Sequence, residues 1–345
     1  MKAAVYAGPD RVAIEDVAEP RLEEPGDALV RVSLAAICGT DLHFVAGHAD
    51  MEPGTVLGHE FVGEVVAVGA AVSGIRPGEL VLGSDFTACG SCWWCRRGDH
   101  WECAERQFFG TGTAFGKALA GAQAEIVRVP RASTVLCPLP PGCPPERAIF
   151  VGDTLATGFA AAERGGVGPG DVVVVLGGGA VGQMASLACQ AVGAAVVIVV
   201  DLVADRRALA AAQGALPATP EEVDSLVRRV TAGRGADVAV DAVGGARVLD
   251  AALTVVRPRG TVVSVGAHFD ASFALPVRRA FAEELTVRFA IGDAIRLRDR
   301  LLPLVATGVI DPTVVVTERV GLSGVPAAYE RFARHEATKI LIDLE

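Results

Sequence analysis

Residues 172–182 read Val-Val-Val-Val-Leu-Gly-Gly-Gly-Ala-Val-Gly. A β-branched run without polar alternation predicts a strand buried on both faces, the kind found in parallel sheets. Gly177, Gly179 and Gly182 follow it at the spacing G-x-G-x-x-G. Glycines so placed allow a tight turn, close backbone approach to a pyrophosphate and close helix–strand packing. Ala180 and Val181 then open a helix whose first N–H groups face the anion. Working outward, 181–191 and 205–213 read as helices, and 195–200, 237–242 and 260–265 as further strands. This βαβ succession predicts a doubly wound sheet with a dinucleotide at the carboxyl ends of its strands. Asp201 ends the second strand, 19 residues after Gly182. Its carboxylate can accept hydrogen bonds from an adenosine ribose, so NAD is expected over NADP, with Arg206 and Arg207 placed to meet a phosphate and soften that preference.

The first 135 residues read differently. Short strand-like runs at 28–34, 61–68, 80–82 and 125–129 are broken by Gly, Pro and Asp, which predicts a β-rich domain. A proline-rich stretch at 138–145 punctuates the chain, and 144–164 reads as mostly helical with an interruption near 151–153. After about Leu297 come an amphipathic helix, a Gly-Val-Ile-Asp-Pro turn and a terminal strand at 339–344. A length of 345 residues suits two domains, and 51% hydrophobic residues suffice for two cores. The net charge of −10, without a long Lys/Arg block, argues against nucleic acid and anionic membrane and for a small-molecule partner. No apolar run of signal-peptide length precedes Pro9 and no segment has 18 unbroken apolar residues, so a cytosolic protein is expected.

Half of the eight cysteines fall in one stretch, Cys89, Cys92, Cys95 and Cys103. In the cytosol clustered thiols bind metal more often than they pair as disulfides. Four thiolates can surround Zn²⁺ tetrahedrally and leave no position for substrate, which makes a structural site. A redox role is the competing reading, since C-x-x-C occurs twice. A second set of ligand types, Cys38 and His59-Glu60, is thin evidence by itself, because a buried cysteine and a satisfied core histidine are ordinary.

The chain resembles the medium-chain, zinc-dependent alcohol dehydrogenases from end to end. The matching wording is Cys38-Gly39-Thr40-Asp41-Leu42-His43, Gly58-His59-Glu60-Phe61-Val62-Gly63, Pro77-Gly78-Glu79-Leu80-Val81, the four-cysteine lobe, Asp153-Thr154-Leu155-Ala156-Thr157-Gly158 and the glycine loop. The resemblance implies a GroES-like catalytic domain (1–154 and 297–345) and a Rossmann NAD-binding domain (155–296). It implies two Zn²⁺ per subunit, one held by Cys38, His59 and Asp153, with Glu60 beside them or as a transient fourth ligand. By the same resemblance Thr40 passes a proton from the alcohol towards the cofactor ribose and His43 delivers it to solvent. Thr157 contacts the nicotinamide, Lys339 contacts the pyrophosphate, and a homodimer or homotetramer is expected. Gly39 departs from relatives that carry a basic residue there, and the chain lacks the long insertion of the larger formaldehyde-oxidising enzymes. Substrate-pocket walls are expected from 84–86 and 108–117. The alternatives are a zinc-free enone or quinone reductase of the same fold and a non-catalytic nucleotide-binding protein. Such reductases usually lack both cysteine-containing sets, and intact Thr40 and His43 speak against the second alternative.

Overall fold

A computed structural model describes every residue except Ala49 and Glu345. It divides into a discontinuous unit, Met1–Asp153 with Asp293–Glu345, and a continuous one, Thr154–Gly292.

The discontinuous unit begins with β1 (Lys2–Tyr6) and β2 (Val12–Asp16), an antiparallel pair. Next come β3 (Ala28–Ile37), α1 (Gly39–Val45), β4 (Phe61–Val68), β5 (Leu80–Gly83), β6 (Ile126–Val129), α2 (Ala132–Val135), β7 (Leu136–Pro138) and α3 (Pro145–Ala148). The main core lies on β3, β4 and their neighbours, where Val30, Val32, Ile37, Phe61, Val65 and Phe109 are buried together.

The continuous unit runs through α4 (Thr154–Gly165), β8 (Val172–Leu176), α5 (Ala180–Ala191), β9 (Val196–Val200), α6 (Ala204–Ala212), β10 (Leu216–Ala218), α7 (Val223–Val230), β11 (Ala236–Asp241), α8 (Ala246–Val255), β12 (Val256–Ser264), α9 (Val277–Ala282) and β13 (Thr286–Phe289). Its six strands are all parallel in the order β10-β9-β8-β11-β12-β13. That order reverses direction between β8 and β11, the point at which doubly wound sheets open a crevice at their carboxyl ends. β8 and β11 are buried throughout, which is why their sequence shows no polar alternation.

The chain returns to the first unit with α10 (Ala294–Ala306), β14 (Glu318–Gly321), α11 (Val325–Ala333) and β15 (Ile340–Asp343). The larger sheet there has the order β14-β15-β3-β4-β5-β7, and β6 pairs β3 as well. β15 therefore lies antiparallel beside β3, with Ile340 opposite Ile37 at the strand end that leads into Cys38. No described helix is long and apolar enough to cross a membrane.

Candidate functional site

Three separate segments of the chain bring one set of donors together. Cys38 caps α1 in extended conformation, and Asp41, three residues on, accepts the Cys38 N–H at 2.9 Å, so the cysteine is fixed at the helix mouth. His59 and Glu60 precede β4, after Gly58. That glycine has φ +91°, and a Cβ there would sit 2.4 Å from Gln123 Cγ, so the turn presenting His59 requires glycine. Asp153 follows a short 3-10 turn, Ile149–Gly152, with non-helical φ −156° and ψ −77° that turn it out of the helical path. Donor atoms of Cys38, His59, Glu60 and Asp153 all lie within 4.8 Å of one another. Asp153 Oδ2 is 3.4 Å from both Cys38 Sγ and His59 Nε2, and Asp41 Oδ1 is 3.2 Å from His59 Nδ1.

Burial pushes the Cys38 thiol up to about 11, aided by the Asp153 carboxylate. Burial also resists charge on His59, but Asp41 and Asp153 together raise it well above its ordinary value. Burial works against the ionised form of Asp153 as well, yet His59 holds it below the usual carboxylate range. These groups compete for protons that a divalent cation would displace, giving thiolate, neutral imidazole and carboxylate. His59 is the clearest sign that such an ion fits: both ring nitrogens are buried without a hydrogen bond of good geometry. With Asp41 facing Nδ1, Nε2 is the nitrogen turned to Asp153 and Cys38, the arrangement in which a carboxylate orients a metal-binding imidazole.

Glu60 and Lys339 form an ion pair inside the protein, 0% and 1% exposed at the side chain. Lys339, expected at a pyrophosphate, thus has its ammonium on the carboxylate beside the donor cluster. Burial opposes its charge, but Glu60 raises its pKa. Burial likewise raises Glu60, with Lys339 acting against it. Thr40 and His43 stand three residues apart on α1 and so share a face of it. Burial and then His48 lower His43 from its ordinary value, which keeps the imidazole neutral at neutral pH.

The four lobe cysteines also converge within 4.8 Å, with Cys92 Sγ at 3.5 Å and Cys89 Sγ at 3.9 Å from Cys95 Sγ. A tetrahedral Zn²⁺ with bonds of about 2.3 Å has sulfur–sulfur edges of about 3.8 Å, so the spacing suits a metal cage. All eight cysteines are free, and none of these separations is a disulfide. Burial resists ionisation of Cys89, yet the N–H groups of Ser91 and Cys92 bring it to about 6, whereas burial and Cys92 push Cys95 up to about 12. Without a cation the thiols do not ionise together.

In the continuous unit Gly177 takes φ +99°, and a Cβ on Gly182 would lie 1.8 Å from the Gly177 carbonyl oxygen. Gly182→Ala is therefore expected to push α5 off β8, at a cost of about 1–3 kcal/mol. A melting curve checks it, and an unchanged transition would refute the packing argument. Gly179 caps α5 without a side-chain cap bond, which leaves first-turn N–H groups of α5 available to an anion. Asp201 accepts from Gly178 N at 2.7 Å and Val203 N at 2.8 Å, and Arg206 approaches its Oδ2 at 3.7 Å. Gln183, which the sequence reading passed over, donates to both Gly178 O and Arg206 O at 2.9 Å and laces the loop to α6. Its position one residue after the last fingerprint glycine was the available signal. Thr157 lies in the second turn of α4 close to Gly292, where a Cβ would come within 2.4 Å of Thr157 Oγ1.

Comparison with known proteins agrees with both halves. Residues 24–141 match the family model described as alcohol dehydrogenase GroES-like domain, and residues 180–307 match that described as zinc-binding dehydrogenase. A probable zinc-binding alcohol dehydrogenase of Mycobacterium tuberculosis is 36% identical over 330 residues, which is 95% of this chain and 84% of that one. Among solved structures, an alcohol dehydrogenase from Thermus sp. ATN1 is 42% identical with TM-score 0.96 over 100% of both chains. A putative zinc-binding dehydrogenase from Sinorhizobium meliloti bound to NADP is 28% identical with TM-score 0.88 over 99% of each.

Proposed function

The chain belongs to the zinc-type alcohol dehydrogenase family and catalyses alcohol/carbonyl oxidoreduction, and from that premise we propose an NAD-preferring enzyme whose reaction is organised by Cys38, His59 and Asp153. The observation that carries this reading is the convergence of those three donors with Glu60 within 4.8 Å. Zinc supplies Lewis acidity towards the alcohol oxygen, and the nicotinamide dinucleotide supplies the hydride acceptor. Cys38, His59 and Asp153 hold the metal, and Asp41 keeps the His59 ring in the binding tautomer. Lys339 balances Glu60, so that this carboxylate adds no uncompensated charge to the donor set. The Thr40 hydroxyl takes the proton leaving the alcohol, and neutral His43 receives it for release to solvent. The N-terminus of α5, with Gly177, Gly179, Ala180, Val181 and Gly182, binds the pyrophosphate, Asp201 the adenosine ribose, and Thr157 the nicotinamide. The first unit, with both metal sites, is the catalytic domain and the second the cofactor domain. Eight unpaired cysteines favour a cytoplasmic setting. Exposed Phe289, at the end of edge strand β13, and nearby Phe281 favour assembly as a homodimer or homotetramer.

Metal analysis with an alcohol and enone panel tests the reading. About two zinc ions per subunit and alcohol-dependent NAD reduction are expected. Cofactor turnover on enones alone would favour the zinc-free reductase, and cofactor binding without turnover on either panel would favour the non-catalytic alternative.

Cofactor choice gives a separate prediction. The Asp201 carboxylate holds two loop N–H groups and keeps lone pairs for a ribose hydroxyl, but it faces the 2′-phosphate of NADP as like charge. Native kcat/KM should favour NAD by roughly tenfold to a hundredfold, with Arg206 and Arg207 limiting the discrimination. Asp201→Ser should move the ratio towards NADP even as affinity for both falls through loss of loop bonds. A native preference for NADP, or a ratio that does not move, would refute the assignment.

A further inference from the structure

At the switch point the loop after β11 lies beside the glycine loop after β8. It runs from Ala242 to Gly245 and leads into α8. The two loops touch: Ala242 N donates to Leu176 O at 2.9 Å, and a Cβ on Gly177 would lie 2.4 Å from Val243 Cγ2. Val243 is nevertheless 52% exposed, an apolar side chain bordering the crevice. Gly244 and Gly245, with φ +93° and +88°, give this loop little stiffness of its own. The segment that follows β12 supplies it. Four consecutive N–H groups are each taken by a side chain: Val243 N and Gly244 N donate to Asp241 Oδ1 at 3.0 and 2.8 Å, Gly245 N to His268 Nδ1 at 3.1 Å, and Ala246 N to Asp270 Oδ2 at 2.8 Å. Because Nδ1 accepts, the neutral ring is assigned its proton on Nε2. Nε2 lies 2.7 Å from Ser264 Oγ, which donates in turn to Asp241 Oδ2 at 2.8 Å. His268 thus joins Gly245 to a buried pair, with Ser264 2% and Asp241 0% exposed. Phe289 backs the imidazole edge to face, with ring centroids 5.4 Å apart.

Resting on the alcohol dehydrogenase reading and its dinucleotide, we propose that His268 is a positioning residue for the cofactor. Through Gly245 it fixes the 242–245 loop, and with it Val243, against the glycine loop at which the dinucleotide binds. A loop with two glycines would otherwise have to be ordered when the cofactor arrives, and holding it in place beforehand removes that cost from binding.

The test titrates NADH and NADPH by fluorescence into the native protein, His268→Ala, His268→Phe and His268→Asn, with steady-state kinetics on one alcohol beside it. His268→Ala should raise Kd for both reduced cofactors by roughly threefold to tenfold, the net worth of one hydrogen bond. The factor should be the same for each, since Asp201 is untouched. His268→Phe keeps a ring against Phe289 but loses the hydrogen bonds, so it should behave as His268→Ala does. KM for NAD should rise with Kd, whereas KM for the alcohol and kcat at saturating NAD should move by less than about twofold. Asn carries an acceptor oxygen at the place of Nδ1 along the side chain, so His268→Asn should recover most of the affinity. An unchanged Kd in His268→Ala and His268→Phe would overturn the proposal, as would a loss that His268→Asn does not recover or that falls equally on kcat. The alcohol dehydrogenase reading would stand in each of those cases. A native protein that binds neither reduced cofactor would sink both.

Discussion

Asp153→Ala is expected to lower bound zinc from about two ions per subunit to about one and kcat/KM by at least about a hundredfold, since even residues that only orient a ligand contribute about 10–100-fold. The variant removes one of the three proposed ligands and the negative charge lying 3.4 Å from both Cys38 Sγ and His59 Nε2. The fold should survive. Asp153 closes a 3-10 turn by conformation, and the apolar residues before it, Ile149, Phe150 and Val151, are untouched. Asp153→Cys supplies the control, because thiolate is also a zinc ligand and should retain the second ion. Elemental analysis with steady-state kinetics reads both variants. Full activity and full zinc in Asp153→Ala would remove this residue from the site.

Cys95→Ser should act on stability before chemistry. A structural zinc contributes about 10–16 kcal/mol of binding free energy that is also folding free energy. Losing the Cys95 thiol, a side chain 6% exposed that burial pushes up to about 12, should forfeit several kcal/mol of it. Besides a small apolar cluster with Phe86, Phe108 and Ile295 and the contacts of His100 with Asp293, the lobe has little regular structure to hold it. It consists of two three-residue 3-10 turns, Cys95–Arg97 and His100–Glu102, and backbone N–H bonds to sulfur from Cys89, Ser91, Cys92 and Cys95. Chelation of the native protein should mimic the substitution. A variant that keeps its melting temperature and zinc count would show that the four thiols are not a cage.

The legible parts of the sequence were those whose pattern has one physical cause. A doubly buried strand must be apolar without alternation, so Val172–Leu176 could be read to the residue, and the helix break near Val151–Asp153 was visible in the same way. Boundaries slipped where capping decided them: α10 starts at Ala294, not near Leu297, because Asp293 accepts the Arg296 N–H. β1 and β2 went unread because they are five residues each, punctuated by Gly8, Pro9 and Asp10, and β2 is only half-buried. In the site, residue identities at short spacing could be read, as with Cys38 to His43. Side-chain partners across long separations could not. Nothing local announces that Lys339 meets Glu60, 279 residues away.

The insertion of β15 beside β3 sets an order of events during synthesis. The continuous unit has its whole sequence available once Gly292 is made and can condense while later residues are still being added. The discontinuous unit cannot, since its central sheet lacks two members, β15 and β14, until residues 318–343 are present. Until then Glu60 lacks the Lys339 ammonium, and the edge of β3 that leads into Cys38 stands open. Pairings of such long sequence separation are slow to close, so this nascent half spends its life as an exposed strand edge. Closure of the cluster of Cys38, His59 and Asp153 is in consequence a late step, completed only once β15 and Lys339 are present. A chain shortened before Lys339 would keep every metal donor and still lack the strand and the charge that hold them in register.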